Sequence, residues 1–195
     1  NDKKFNKLWN PKVMEILNSL NLKCIYKDKN IDCNLIVGDA RKEILNIPKE
    51  VIFDLIFLDG FSPQKCPEIW SYEFLSQLKN KIKYEGYLIT YTSAAAVRKS
   101  LKNIGFNLFN IMPTLSKKKR WSNGTLASFD NQLNNPYITQ LSEMEIEHLN
   151  TKASIPYRDP TGEMLSTEIL EIRKKEQQFS NLLDTNSWRK KWKMA

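Results

Sequence analysis

The chain predicts a doubly wound α/β sheet, and three observations carry that expectation. Strand-like and helical segments alternate over the first 130 of its 195 residues. The run VIFDLIFLDG (51–60) is almost continuously apolar, as a parallel strand covered on both faces would be. Two expected strand ends carry an acid beside a glycine, Gly38-Asp39-Ala40 and Asp59-Gly60-Phe61. In open parallel sheets such ends face the ligand.

The elements follow in order. Phe5, Leu8, Trp9, Val13, Ile16, Leu17 and Leu20 recur at helical spacing, with Pro11 opening a fresh helix in its first turn. LKCIYK and DCNLIVGD read as a hairpin about a short Asp/Asn turn, which sets Cys24 opposite Leu35 rather than Cys33. RKEILNI is a short helix stopped by Pro48, and VIFDLIFLDG is the next strand. PEIWSYEFLSQLKNKI is expected as one helix, with Gly86 turning the chain into the strand YLITYT. SAAAVRKSLKNIG has a serine to cap its start and a glycine to end it. FNLFNIM and TLASFD are strands joined by a basic loop, and the order β-α-β-α-β-α-β-β results. Beyond residue 130 come the short helix SEMEIEHLN, the loop IPYRDPTGEM and the longer helix STEILEIRKKEQQFSNLL. We therefore expect an α/β domain over 1–130 and a helical extension over 131–195 packed on it.

Composition excludes several classes. No apolar run approaches the ~20 residues needed to span a bilayer, and no signal peptide opens the chain, so a cytoplasmic protein with no membrane partner is expected. Three cysteines, Cys24, Cys33 and Cys66, make no disulfide framework, and with one histidine no metal site is expected. That histidine, His148, lies in an acidic helix expected to be exposed, with no nucleophile motif nearby, which argues against a hydrolase.

The net charge of +8 is local. Lys117, Lys118, Lys119 and Arg120 form one cluster; Arg189, Lys190, Lys191 and Lys193 form another; without these eight the basic residues balance the 22 acidic ones. Two readings stand: a polyanion partner, chiefly nucleic acid, or an ordinary solvated lysine-rich surface. Each strand-end Asp also has two readings, a ligand acceptor or the cap of a following turn. Their pairing on successive strands favours a cofactor site.

FDLIFLDGFSPQKCPEIWSYEFL followed by GYLITYTSAAAVRKSLKNIGF resembles the methyltransferase domain of the MnmC family. The matching elements are LDGF-S/A-P, Lys65-x-Pro67-x-x-Trp70, and Thr92-Ser93-Ala94 with Val97-Arg98. GDAR (38–41) and a strand after the basic loop in KKKRWSNGTLAS also agree; the resemblance covers roughly residues 11–130. It implies a Rossmann-like S-adenosylmethionine-dependent methyltransferase fold with the last strand antiparallel. The implied enzyme is an N-methyltransferase that uses S-adenosyl-L-methionine to methylate the aminomethyl group of 5-aminomethyl-(2-thio)uridine at the tRNA wobble position. The chain would be a form without the family's fused oxidase domain. Its partners would be a tRNA anticodon arm and a separate oxidoreductase or aminomethyl-forming enzyme that supplies the substrate.

Carried onto this sequence, the resemblance makes Asp59 the catalytic carboxylate. Gly38, Asp39, Ala40, Asp59, Gly60, Phe61 and Pro63 become the cofactor site, with Phe61 a candidate to stack on the uracil. Lys65, Arg98, Lys117, Lys118, Lys119 and Arg120 become RNA contacts. Trp70 reads rather as a core anchor, and Arg98 as either a phosphate ligand or a surface charge. Trp121 reads as a base-stacking ring or a core residue. Trp188 and Trp192, among the C-terminal cations, offer a stacking surface or a frayed terminus.

The sequence departs from the family at its front. None of its six glycines forms G-x-G, and the family's first strand, Gly-rich turn, next helix and ribose-binding strand end have no counterpart. The expectation is an N-terminally truncated piece, or else a degenerate protein that has lost cofactor binding; alone it would bind S-adenosylmethionine poorly or not at all. The alternatives are a small-molecule amine methyltransferase and a non-catalytic RNA-binding remnant.

Overall fold

A computed structural model describes residues 10–112, 124–133 and 135–193. The chain forms two compact units, Asn1–Asp39 and Ala40–Ala195.

In the first unit Pro11 occupies the first turn of α1 (Pro11–Lys23), and Asn10 caps it by accepting the Lys12 amide at 2.8 Å. The helix ends where Cys24 turns left-handed at φ 57° and its amide donates to Leu20 O. β1 (Ile25–Lys27) and β2 (Asp32–Asn34) form the expected antiparallel hairpin. Asp28 Oδ1 shapes the turn by accepting the amides of Asn30 and Ile31, each at 2.8 Å. The Leu35 amide donates to Cys24 O at 2.8 Å, so Cys24 does lie opposite Leu35, and all three thiols are free. The second strand is shorter than expected. β2 ends at Asn34, and Leu35, Ile36 and Val37 beyond it are exposed.

The second unit carries α2 (Ala40–Asn46), β3 (Phe53–Phe57), a 3-10 turn (Pro67–Trp70), α3 (Tyr72–Lys79), β4 (Ile82–Thr90), α4 (Ala95–Ile104), β5 (Asn107–Ile111), β6 (Thr125–Ser128), β7 (Ile138–Gln140), α5 (Glu143–His148), α6 (Ser166–Phe179) and α7 (Thr185–Lys191). Five strands form one mixed sheet in the order β3-β4-β6-β5-β7. β3 and β4 are parallel, with Leu55 beside Tyr87 and Phe57 beside Ile89; β6 is antiparallel to both of its neighbours. Trp70, Leu75, Leu88, Val97, Leu101, Ala127 and Ile169 are fully enclosed between sheet and helices.

Four expectations need correction. β3 is not buried on both faces: it is an edge strand paired to β4 alone among the described residues, and Leu55 and Phe57 are 43% and 69% exposed. The single helix 67–82 is split, because Ser71 adopts an extended backbone and caps α3, its Oγ accepting the Phe74 amide at 3.2 Å. Gly86 lies within β4, not in a turn. The pairing slips between Phe53 and Leu55, and a Cβ at 86 would lie 3.0 Å from Asp54 O, so glycine lets the irregular strand pass its neighbour. The start of α4 falls at Ala94 with no capping side chain, while Gly105 ends it as expected at φ 110°. β7 and α7 were not expected.

Candidate active site at the ends of β3 and β4

The Leu58 amide donates to Ile89 O at 2.9 Å, which carries the β3–β4 pairing to the sheet's edge. Two residues past the Phe57–Ile89 pair, the strands reach Asp59 and Tyr91. Asp59 is exposed and Phe61 is 77% exposed. The loop that carries them is held by its backbone. Trp70 Nε1 donates to Phe61 O at 2.7 Å, and Tyr91 Oη donates to Gly60 O at 3.0 Å. The Trp70 and Tyr91 rings meet edge to face, 6.0 Å between centroids. At Gly60 a Cβ would fall 1.9 Å from Ile69 Cδ1, so glycine lets the loop lie against the 3-10 turn. Pro63 is buried, and Ser62 O closes the next turn by accepting the amides of Lys65 and Cys66. Burial pushes the Cys66 thiol up, as does the neighbouring Glu68 carboxylate.

Asp59, Gly60, Phe61, Pro63 and exposed Lys65 thus share one braced loop. Gly38 and Asp39 are exposed at the end of the first unit, and Ala40 opens α2 in the second. Arg41 of GDAR reaches the C-terminal segment: Nη1 donates to Asp159 Oδ2 at 2.7 Å and to Met164 O at 3.0 Å. The Asp159 amide and Arg158 Nε both donate to the Glu73 carboxylate at 2.7 Å. A cavity of about 380 Å³ opens among these residues, with both guanidinium groups already paired to carboxylates.

Arg98 is corrected. It is 1% exposed and does not reach a surface where phosphate could bind. Its Nε donates to Thr125 Oγ1 at 2.8 Å, Nη1 to Glu145 Oε1 at 2.9 Å, and Nη2 to Asn110 Oδ1 at 2.8 Å and Gly124 O at 3.2 Å. Burial works to raise the Glu145 carboxyl, but hydrogen bonds from Arg98, Asn110 and the Ser142 amide outweigh it and hold the group below its ordinary range. Trp70 is a core anchor at 0% exposure. Trp188 is no stacking surface: it is 1% exposed, donates Nε1 to Met144 O at 3.1 Å and stacks on His148 at 4.1 Å. His148 is half-buried rather than exposed, and burial, then the charges of Arg98 and Arg189, depress its pKa to about 4. Lys117, Lys118, Lys119, Arg120 and Trp121 lie outside the described residues.

Sequence reasoning missed Tyr91, Glu145 and Asp159. Their partners are 31, 47 and 118 residues away, beyond any local pattern. Among the described residues no group of three His, Cys, Asp or Glu side chains could hold a metal ion, and no helix is long and apolar enough to cross a membrane.

Comparison with known proteins points to one family. A family profile of S-adenosyl-L-methionine-dependent methyltransferases matches residues 3–127. The uncharacterized protein MJ0670 of Methanocaldococcus jannaschii is 30% identical over 148 residues, 76% of this chain and 39% of that one. The tRNA 5-methylaminomethyl-2-thiouridine biosynthesis bifunctional protein MnmC of Leptospira borgpetersenii is 34% identical over 107 residues, 55% of this chain and 16% of its own length. The crystal structure of MnmC2 from Aquifex aeolicus superposes with a TM-score of 0.74 at 30% identity, covering 86% of this chain and 51% of that one. The chain therefore spans about half or less of the length of these three proteins.

Proposed function

The chain belongs to the S-adenosyl-L-methionine-dependent methyltransferase family, related to the MnmC methyltransferase domain, and from that premise we propose that it methylates a primary amine on tRNA. The substrate is the aminomethyl group of 5-aminomethyl-(2-thio)uridine at the wobble position. The observation that carries this reading is Asp59, an exposed carboxylate at the end of a parallel strand, in a loop whose backbone is fixed by side chains from elsewhere.

When bound, S-adenosyl-L-methionine supplies an electrophilic methyl group. Residues of fitting chemistry are present in each unit. Asp39 offers an acceptor for an adenine amine, with Gly38 and Ala40 beside it. Asp59 and the Phe61 ring stand at the strand-end loop, where Gly60 keeps the backbone free of a Cβ.

The amine must be neutral to attack, because an ammonium has no lone pair, and alkyl ammonium groups such as that of lysine lose a proton only near pH ~10.4. Asp59 orients the amine and accepts its proton. The exposed Phe61 ring, with Pro63 buried in the same loop, supplies an apolar surface beside the reacting atoms, which must approach to about 3–3.5 Å. The exposed Phe61 ring also offers a stacking face for the uracil. Lys65, and the basic loop 117–120 in sequence, supply cations for the RNA backbone. The aminomethyl group must come from an enzyme that forms it, so that enzyme is the expected partner in sequence of reaction.

The test is Asp59→Asn in the full-length protein, assayed with labelled cofactor and undermethylated tRNA. The expected result is a fall in kcat of about 10²- to 10⁴-fold. Unchanged turnover would remove Asp59 from the reaction, and transfer to a free amine but never to tRNA would place the chain among small-molecule methyltransferases.

A further inference from the structure

We propose that Tyr91, to which the sequence reading gave no role, is a positioning residue for the transfer reaction, acting through the Gly60 carbonyl on the loop that carries Asp59. The inference rests on the reading of Asp59 as the proton acceptor. Tyr91 follows β4 directly and stands two residues past Ile89, as Asp59 stands two past its partner Phe57. Its ring is edge-on to buried Trp70, and its hydroxyl donates to Gly60 O at 3.0 Å. Trp70 Nε1 holds the next carbonyl, that of Phe61, at 2.7 Å.

Two consecutive carbonyls are thus gripped from two side chains, one buried and one 47% exposed. Fixing these two successive peptide planes fixes Phe61 between them and anchors Gly60, while the Leu58 amide is held to Ile89 O on the other side, so Asp59 and its carboxylate are carried between held points of backbone. A core residue would need no hydroxyl to pack here, and a solvent-exposed tyrosine would not need to spend its proton on a loop carbonyl. The arrangement leaves the Asp59 side chain to a ligand while the backbone on either side of it is tied, at the Leu58 amide and the Gly60 carbonyl.

Tyr91→Phe removes the hydroxyl and keeps the ring. In the full-length protein kcat for methyl transfer is expected to fall about fivefold, the share of one neutral hydrogen bond. KM for tRNA and for the cofactor, and the melting temperature, should stay unchanged. The decisive arm is the double variant. In the Asp59→Asn background, Tyr91→Phe should add nothing, because its effect passes through the carboxylate. Unchanged kcat in Tyr91→Phe would overturn the proposal, as would an effect that multiplies with that of Asp59→Asn. A fully active Asp59→Asn enzyme would instead refute the premise, which separates the two failures.

Discussion

The strand-end loop at Asp59 and the cluster around Arg98 are both polar, and both lie in segments that resemble one family, yet they are built in opposite ways. At the loop the backbone is held and the side chains are left open: Gly60 O and Phe61 O are gripped while Asp59 and Phe61 face outward. At the cluster the side chains are held and nothing is left open. Arg98, Asn110, Thr125 and Glu145 are each at most 5% exposed and bond to one another. A charge offered to a ligand and a charge used by the fold look alike in a sequence. Burial and the number of partners distinguish them.

The largest effect that would sharpen the contrast is at the cluster. Arg98→Ala leaves the Glu145 carboxylate buried without its counter-ion, and should cost about 3–5 kcal/mol in urea unfolding. An apolar replacement of both partners, Arg98→Met with Glu145→Leu, should cost much less, because no lone charge remains. If Arg98→Ala folds with full stability but loses RNA affinity, the contrast breaks.

Gly60→Ala comes next, on the loop side. The new methyl group must displace the Ile69 side chain, a flexible group, so a loss of about 1 kcal/mol is expected, near the low end for overpacking. Its effect on methyl transfer should be larger than on unfolding, since the displaced loop carries Asp59. Equal proportional losses would mean that the loop serves the fold as the cluster does.

The smallest effect concerns His148 on Trp188. Its folded pKa of about 4 lies below the ordinary 6.5. The unfolded chain therefore binds the extra proton first, and stability rises with pH across that interval. The contribution is whole above about pH 6.5 and is lost as pH falls toward 4. Because the ring is partly exposed, on the order of 1 kcal/mol is expected. His148→Phe, which keeps a ring against Trp188, should flatten this part of the pH–stability curve. An unchanged slope would assign it to the carboxylates.

Local features were readable in advance where short-range rules decide them. Pro11 at a helix start, Gly105 at a helix end, the Cys24–Leu35 pairing and the alternation of strands and helices each depend on residues close in the chain. The break at Ser71 was harder. Helical spacing continues through PEIWSYEFL, and only the cap bond to Phe74 shows where one helix stops and another starts. The Trp188 anchor was hidden because a tryptophan among lysines suits a surface as well as a core until its neighbours are known.

By itself the sequence determined the alternating order of elements, the acid-glycine strand end with its loop of specific composition, and a net positive charge confined to two clusters. These depend on periodicity and on neighbours a few residues apart. Only the tertiary structure decided that β3 pairs with β4 alone among the described residues, that Trp70 and Tyr91 grip the Asp59 loop, and that Arg98 belongs to Glu145. Strand order sets those contacts, and they join residues from 9 to 47 positions apart. At such separations a pairing has no periodicity to announce it. It exists only once the sheet brings its partners to one place.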